Sequence, residues 1–120
     1  MQTKMSLESS KKLYYLAHPY TPDENMTEMR NVVECINIAN DLLDKGFHIY
    51  APIIMTHWLH NKKNREYDFW VNEDRIIMER CNGIILSGKW DKSEGCVKEK
   101  EFFEEQYKEV LYYDEIINQV

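Results

Sequence analysis

Gly83-Ile84-Ile85-Leu86-Ser87-Gly88-Lys89-Trp90-Asp91-Lys92-Ser93-Glu94-Gly95-Cys96-Val97-Lys98-Glu99 decides the architecture. Gly83 to Ser87 is a strand-like apolar run, and Gly88 to Gly95 is a polar turn. A helix is expected from Ser93 to Lys108, with Cys96, Phe102, Phe103 and Tyr107 on its apolar face. Strand, loop and helix in that order, with a strand that is apolar throughout, form the unit of a parallel sheet covered on both faces. Glu99 is the anomaly in this unit. It lies three residues after Cys96, three before Phe102 and four before Phe103, so it points inward with them. An ionisable group on that face is costly unless it has a task or a partner.

The same unit recurs outward along the chain. Leu13 to Ala17 is a first buried strand, ending at His18-Pro19, and Tyr20 to Asn25 is a loop containing Pro22. From Thr27 to Lys45 a helix is expected, with Met29, Val32, Ile36, Ala39 and Leu43 on one face and Gly46 just past its end. Phe47 to Ala51 reads as a second strand stopped by Pro52, followed by an irregular or briefly helical stretch from Ile53 to Arg65. Tyr67 to Cys81 is a second long helix with Trp70, Ile77, Met78 and Cys81 inward. Val110 to Tyr113 is the fourth strand, and Ile116-Ile117 belongs to a short tail. The expectation is one α/β domain over residues 12–120, a parallel sheet of four to five strands covered on both faces by helices. Residues 1–11 read as a disordered lead-in. In such a sheet the ligand site lies outside the carboxyl ends of the strands. Ala17–Asn25, Pro52–Arg65 and Gly88–Gly95 are the loops there.

The chain has 120 residues and a formal net charge of −6, with 21 acidic against 15 basic residues. That balance argues against a nucleic-acid partner, because neutralising phosphates needs a clustered positive surface. Lys62-Lys63-Asn64-Arg65 reads as a solvated loop. No apolar stretch approaches a membrane-spanning length, so no membrane partner is expected. Cys35, Cys81 and Cys96 have no paired spacing and sit among apolar residues, which suits reduced thiols of a cytoplasmic protein. There is no Cys/His zinc pattern and no Walker phosphate loop, so no metal or other cofactor is expected.

Asp74 repeats the anomaly of Glu99. It lies four after Trp70 and three before Ile77, on their inward face. A salt bridge or cap would account for one such carboxylate more readily than for two flanking the same strand. Two carboxylates can carry out substitution at an anomeric carbon: one attacks to form a covalent glycosyl intermediate, and a second group assists the leaving group or activates water. They can also bind a hard cation, for which Asp91 would supply a third oxygen ligand. Ser93-Glu94-Gly95 at a helix start offers free N–H groups and a hydroxyl to an anion, or Ser93 is simply the cap.

These residues carry a resemblance. The chain resembles the nucleoside 2-deoxyribosyltransferase-like superfamily, and within it the branch described as DUF1937, from about Leu13 to Tyr113. The matching motifs are Tyr14-Tyr15-Leu16-Ala17-His18-Pro19-Tyr20, Arg30, Tyr50-Ala51-Pro52-Ile53 with Thr56-His57, Asp68-Phe69-Trp70 with Asp74-Arg75, and Gly88 to Gly95 with Glu99. The resemblance implies a flavodoxin-like (Rossmann-like) three-layer sandwich and N-glycosidic bond chemistry on a nucleoside or nucleotide. It assigns Glu99 as the nucleophile, Asp74 as the acid on the leaving base and Tyr15 as the hydroxyl orienting the nucleophile. Ala17, His18, Pro19 and Tyr20, in the loop running to Asp23, together with Arg30, would lie near the sugar or a 5′-phosphate. Ser93 stands six before Glu99, as in the deoxynucleoside 5′-monophosphate N-hydrolases, where the transferases have aspartate. A neutral donor there tolerates a phosphate. The hydrolases' glycine- and serine-rich first loop is replaced here by His18-Pro19-Tyr20-Thr21-Pro22. Enzymes of this superfamily are commonly homo-oligomers, which would place Tyr112 and Tyr113 at a subunit interface or a sheet edge.

Of the remaining candidates, His57 would stack on or hydrogen-bond a substrate, or bond to backbone. Trp90, in a polar loop, is expected to stack on a nucleobase, with Asp91, Ser93 and Gly95 beside it. Trp70 is the second aromatic candidate, though its spacing suits the core. The rival to an enzyme is a non-catalytic nucleotide-binding protein on the same scaffold.

Overall fold

In the computed structural model, residues 11–21 and 27–118 are described. The lead-in before Lys11, and Pro22 with its neighbours to residue 26, lie outside the described residues. Four strands, β1 (Leu13–Ala17), β2 (His48–Tyr50), β3 (Gly83–Leu86) and β4 (Glu109–Tyr112), form one sheet in the order β2-β1-β3-β4. Every pairing is parallel, and Tyr15 stands opposite Tyr50 on one side and Ile84 on the other. Five helices accompany them: α1 (Glu28–Asp44), α2 (Pro52–Lys62), α3 (Tyr67–Arg80), α4 (Glu94–Glu105) and α5 (Tyr113–Ile117). The result is a three-layer α/β sandwich of the flavodoxin-like kind, with four strands.

Local chemistry sets the boundaries. Thr27 caps α1 by accepting from the Arg30 N–H, and Gly46 takes φ +93 just past its end, as its position predicts. Pro52 does end the second strand, but it also opens α2 at a position where its missing N–H costs nothing. Of the two expectations for this stretch, irregular or briefly helical, the helix is the one found, and it has 11 residues. Lys108 Nζ donates to the carbonyls of Met78 and Glu79 and so caps the end of α3.

Successive side chains of each strand face opposite layers. Tyr15, Ala17, Ile84 and Leu86 pack against Met78 of α3 and Cys96, Phe102 and Phe103 of α4. Tyr14, Leu16 and Ile85 pack against Cys35, Ile38, Ala39 and Leu42 of α1, with Ile116 of α5 and Ile53 and Ile54 of α2. All three cysteines are buried and unpaired. Among the described residues, no helix is long and apolar enough to cross a membrane.

Two expectations about faces are corrected. The buried stripe of α1 is Asn31, Val32, Cys35, Ile38, Ala39 and Leu42. Met29, Ile36 and Leu43 are instead exposed. The helix carries apolar residues around much of its circumference, and the sheet covers only part of that arc. Tyr107 is 97% exposed because α4 ends at Glu105. Tyr107 then takes φ 56, which turns its side chain away from the helix's inner face.

A candidate active-site cleft at the carboxyl ends of the strands

A cleft of about 1220 Å³ opens where β1 and β3 end and α3 and α4 begin to cover the sheet. That is room for a ligand of nucleotide size, since small-molecule sites run from ~300 to 1,000 Å³. The inward face of α3 contributes Trp70, Val71, Asp74 and Met78, and that of α4 contributes Cys96, Glu99 and Phe102. The periodicity that made Asp74 and Glu99 anomalous is thus what aims both into the cleft.

Tyr15 connects the sheet to this pair. Its ring is fully buried in β1, and its hydroxyl donates to Glu99 Oε2 at 2.8 Å. Burial drives the Glu99 carboxyl up to about 8; the Tyr15 hydrogen bond opposes that shift and the charge of Asp74 adds to it. Asp74 is pushed up to about 6, first by burial and then by Glu73, against the pull of the Tyr15 hydroxyl. Burial and both carboxylates raise the Tyr15 phenol well above its usual range, so it stays a donor. The site thus sets two carboxyls of raised proton affinity beside a phenol that stays a donor to one of them.

The first loop is tied down from below. Ser87 Oγ donates to the Ala17 carbonyl at 2.9 Å. Its one proton being committed, it accepts from His18 Nδ1, also at 2.9 Å. The buried His18 ring then presents Nε2 to Glu34 Oε1 at 3.0 Å, a contact that is favourable only with a proton between them. Burial lowers the proton affinity of His18, and Glu34 counteracts this. Gly88 passes over this pair with φ +62, and a Cβ there would come within 2.7 Å of His18 Cε1. Tyr20 is held by its hydroxyl to His57 Nδ1 at 2.9 Å, and its carbonyl accepts from Asn31 Nδ2 at 3.0 Å.

The cleft brings together Ala17, His18, Pro19, Tyr20, Trp70, Asp74, Ser93, Gly95 and Glu99 from the sequence-derived set. Ser93 is indeed the cap of α4, accepting from the Cys96 N–H at 3.3 Å, and it lines the cleft as well. Arg30, His57, Trp90 and Asp91 do not line it. His57 is buried beneath Tyr20 as its support. Of the two aromatic candidates, Trp70 lines the cleft, while half-buried Trp90 packs on Tyr112 at 5.6 Å against the core and does not. The single 3-10 turn Trp90–Lys92 folds the indole inward and leaves Asp91 exposed on the surface. Arg30 is exposed on α1. Tyr113 belongs to α5, and its hydroxyl donates to Asp41.

The residues that sequence reasoning missed are mostly cations. Arg65 leaves the solvated loop to lie over the rings of Phe69 and Trp70, 5.4 and 5.8 Å from their centroids. Arg75 lies 5.2 Å over Phe102. Lys89, Lys92 and Lys98 flank Ser93 along the rim. A lysine in a polar loop is indistinguishable by spacing from any solvated lysine, but Arg65 four residues before Phe69 gave a usable signal. Among the described residues no cluster of His, Cys, Asp and Glu could hold a metal ion.

The family model described as "Domain of unknown function (DUF1937)" matches residues 12–115, nearly the whole chain, and the chain belongs to that family. No curated protein matches it.

Proposed function

We propose that this member of the DUF1937 family cleaves or transfers the N-glycosidic bond of a (deoxy)nucleoside or nucleoside 5′-monophosphate, as the nucleoside 2-deoxyribosyltransferase-like enzymes it resembles do. The observation that carries the reading is the 2.8 Å hydrogen bond from buried Tyr15 to half-buried Glu99, with the charge of Asp74 acting on the same phenol. A carboxylate nucleophile needs an orienting donor and a nearby acid, and these three side chains are of the right kinds.

In this reading a Glu99 oxygen attacks C1′ as the bond from C1′ to the base nitrogen breaks. Positive charge developing at C1′ favours the Glu99 anion, so a proton is held on Asp74 and passes to the departing base. The product is the free base and a glycosyl ester of Glu99. Water then attacks C1′ and gives a proton to Asp74, or a second base nitrogen attacks C1′ and gives its proton to Asp74; in both cases the ester bond from C1′ to Glu99 breaks, Glu99 leaves as carboxylate, and the sugar or a new nucleoside is released. The lysine-flanked start of α4, with Ser93 and the N–H groups of Glu94 and Gly95, supports binding of a 5′-phosphate. Trp70 and the Arg65 stacked on it support a planar base on the α3 side.

The test is to incubate the protein with each deoxynucleoside and its 5′-monophosphate and to follow free base by chromatography. Base release or exchange that disappears in Glu99→Ala supports the reading. No release or exchange with any of them, at protein concentrations comparable to substrate, defeats it. A second reading is a nucleotide-binding protein without turnover, favoured by the burial that raises the proton affinity of Glu99 and so weakens it as a nucleophile. Stoichiometric binding, unchanged in Glu99→Gln and without base release, would select it. Three unpaired buried cysteines fit a reducing compartment such as the cytoplasm.

A further inference from the structure

Helix α1 carries a second apolar stripe that its own domain leaves uncovered. Met29, Val33, Ile36 and Leu43 are each 41% to 54% exposed, at steps of four, three and then seven residues. Asn40, also exposed, fills the gap and makes the spacing four, three, four, three, that of a coiled-coil seam. No charged residue interrupts it. The stripe faces away from α5, because Asp41 on the opposite flank is bonded to Tyr113, and therefore faces the β2 edge of the sheet. Helix α2, which packs against α1, adds exposed Met55, Trp58 and Leu59.

The charges beside the stripe say what covers it. Arg30 lies in the first turn of α1 and Asp44 is its last residue, so each sits at the helix end that the macrodipole makes unfavourable for it. Neither pairs with a charged group among the described residues. We infer that a second copy of this chain packs its α1 antiparallel against this one, forming a two-fold symmetric dimer. In that arrangement Val33 meets the partner's Leu43, and Ile36 meets the partner's Asn40. The same register sets Arg30 beside the partner's Asp44 at both ends, and Asn37 beside the partner's Asn37 on the axis. Each mismatched charge then faces an opposite charge and the helix terminus that suits it. A parallel pairing would keep Arg30 and Asp44 of opposite copies at opposite ends of the seam. The two Arg30–Asp44 pairs fix the register, and Asn40 facing the partner's Ile36 is a cost they offset.

Sedimentation equilibrium of the full chain reads this directly. The expected mass is twice the 14.5 kDa of one chain at micromolar concentration. Ile36→Glu should weaken the dimer at least ~100-fold, with circular dichroism showing the fold retained, since Ile36 is exposed. Arg30→Glu and Asp44→Arg should each weaken it about 10-fold, and the double exchange should restore it to within a factor of about 3. A monomer at several hundred micromolar, or a dimer indifferent to Ile36→Glu, overturns the interface. A double exchange that fails to restore association overturns the antiparallel register. Asn37→Cys should cross-link across the axis under mild oxidation while Val33→Cys should not, and the reverse result likewise overturns the register.

Discussion

The Tyr15 hydroxyl donates to Glu99 across 84 residues of chain, joining the central strand to a carboxyl that the core otherwise penalises. Tyr15→Phe keeps the ring and removes only this donor. Glu99 should then titrate higher than about 8, and the domain should lose roughly 1–2 kcal/mol of stability, the usual cost of leaving a buried acceptor unpaired. Urea denaturation and a carboxyl-detected NMR titration measure the two effects. An unchanged Glu99 titration would mean that the hydroxyl does not govern it.

Glu99 also sets a pH dependence whose sign is fixed. Its folded-state proton affinity lies above the ordinary 4.5, so its contribution is fully present below that pH and is lost as pH rises toward about 8. Asp74, raised to about 6, acts in the same direction over a narrower window. Wild-type stability should therefore fall between about pH 5 and 8, and Glu99→Gln should flatten the fall. At pH 8 the variant should be more stable by ~2–4 kcal/mol. Thermal melts across that range check it, and a variant less stable than wild type at pH 8 would contradict the burial argument.

The two tryptophans of interest should separate binding from folding. Trp70→Phe is expected to weaken the affinity for a bound nucleoside monophosphate about tenfold with little change in melting temperature. Trp90→Phe should leave affinity intact and cost about 1 kcal/mol of stability, because its ring packs on Tyr112 in the core. Calorimetric titration with a nucleoside monophosphate, paired with denaturation curves, distinguishes them. An exchange of the two outcomes would restore the roles that loop polarity alone suggests.

Gly88 and Gly95, both on the cleft rim, should respond oppositely to alanine. Gly88 has φ +62 and no room beside His18, so Gly88→Ala should cost about 1–3 kcal/mol. Gly95 lies in the first turn of α4, and a Cβ there meets nothing closer than Ser93 Oγ at 3.9 Å. Gly95→Ala should be neutral or stabilising by up to about 1 kcal/mol. Denaturant midpoints of the two variants settle the contrast.

How much of this the sequence carried depends on the kind of signal. Unbroken apolar strands alternating with helical periodicity made the parallel sandwich legible, and the same periodicity exposed Asp74 and Glu99, because a charge on an inward face breaks a pattern. Both Trp70 and Trp90 are legible as candidates, but polarity of the neighbours favours Trp90 over Trp70, and the cleft takes Trp70. A one-turn 3-10 helix, which has no strong periodicity, decided the matter. The stripe of α1 was read with the wrong residues because the helix is apolar over too wide an arc for spacing alone to say which part meets the sheet. His57 and Ser87 hold other residues in place through hydrogen bonds that only the folded chain brings together.

Neighbouring tyrosines of β1 reach in opposite directions to two carboxylates far along the chain, Tyr15 to Glu99 and Tyr14 to Glu109, the latter at 2.6 Å across 95 residues. The strand at the centre of the sheet is thus synthesised early, yet its bonds close only when the end of the domain is available. Closing such long loops is an entropic cost met late in folding. A nascent chain that has not yet exposed α4 has no cleft, whatever structure it has already formed. The pocket and the completed sheet therefore arrive together, once α4 and β4 have joined β1 and β3.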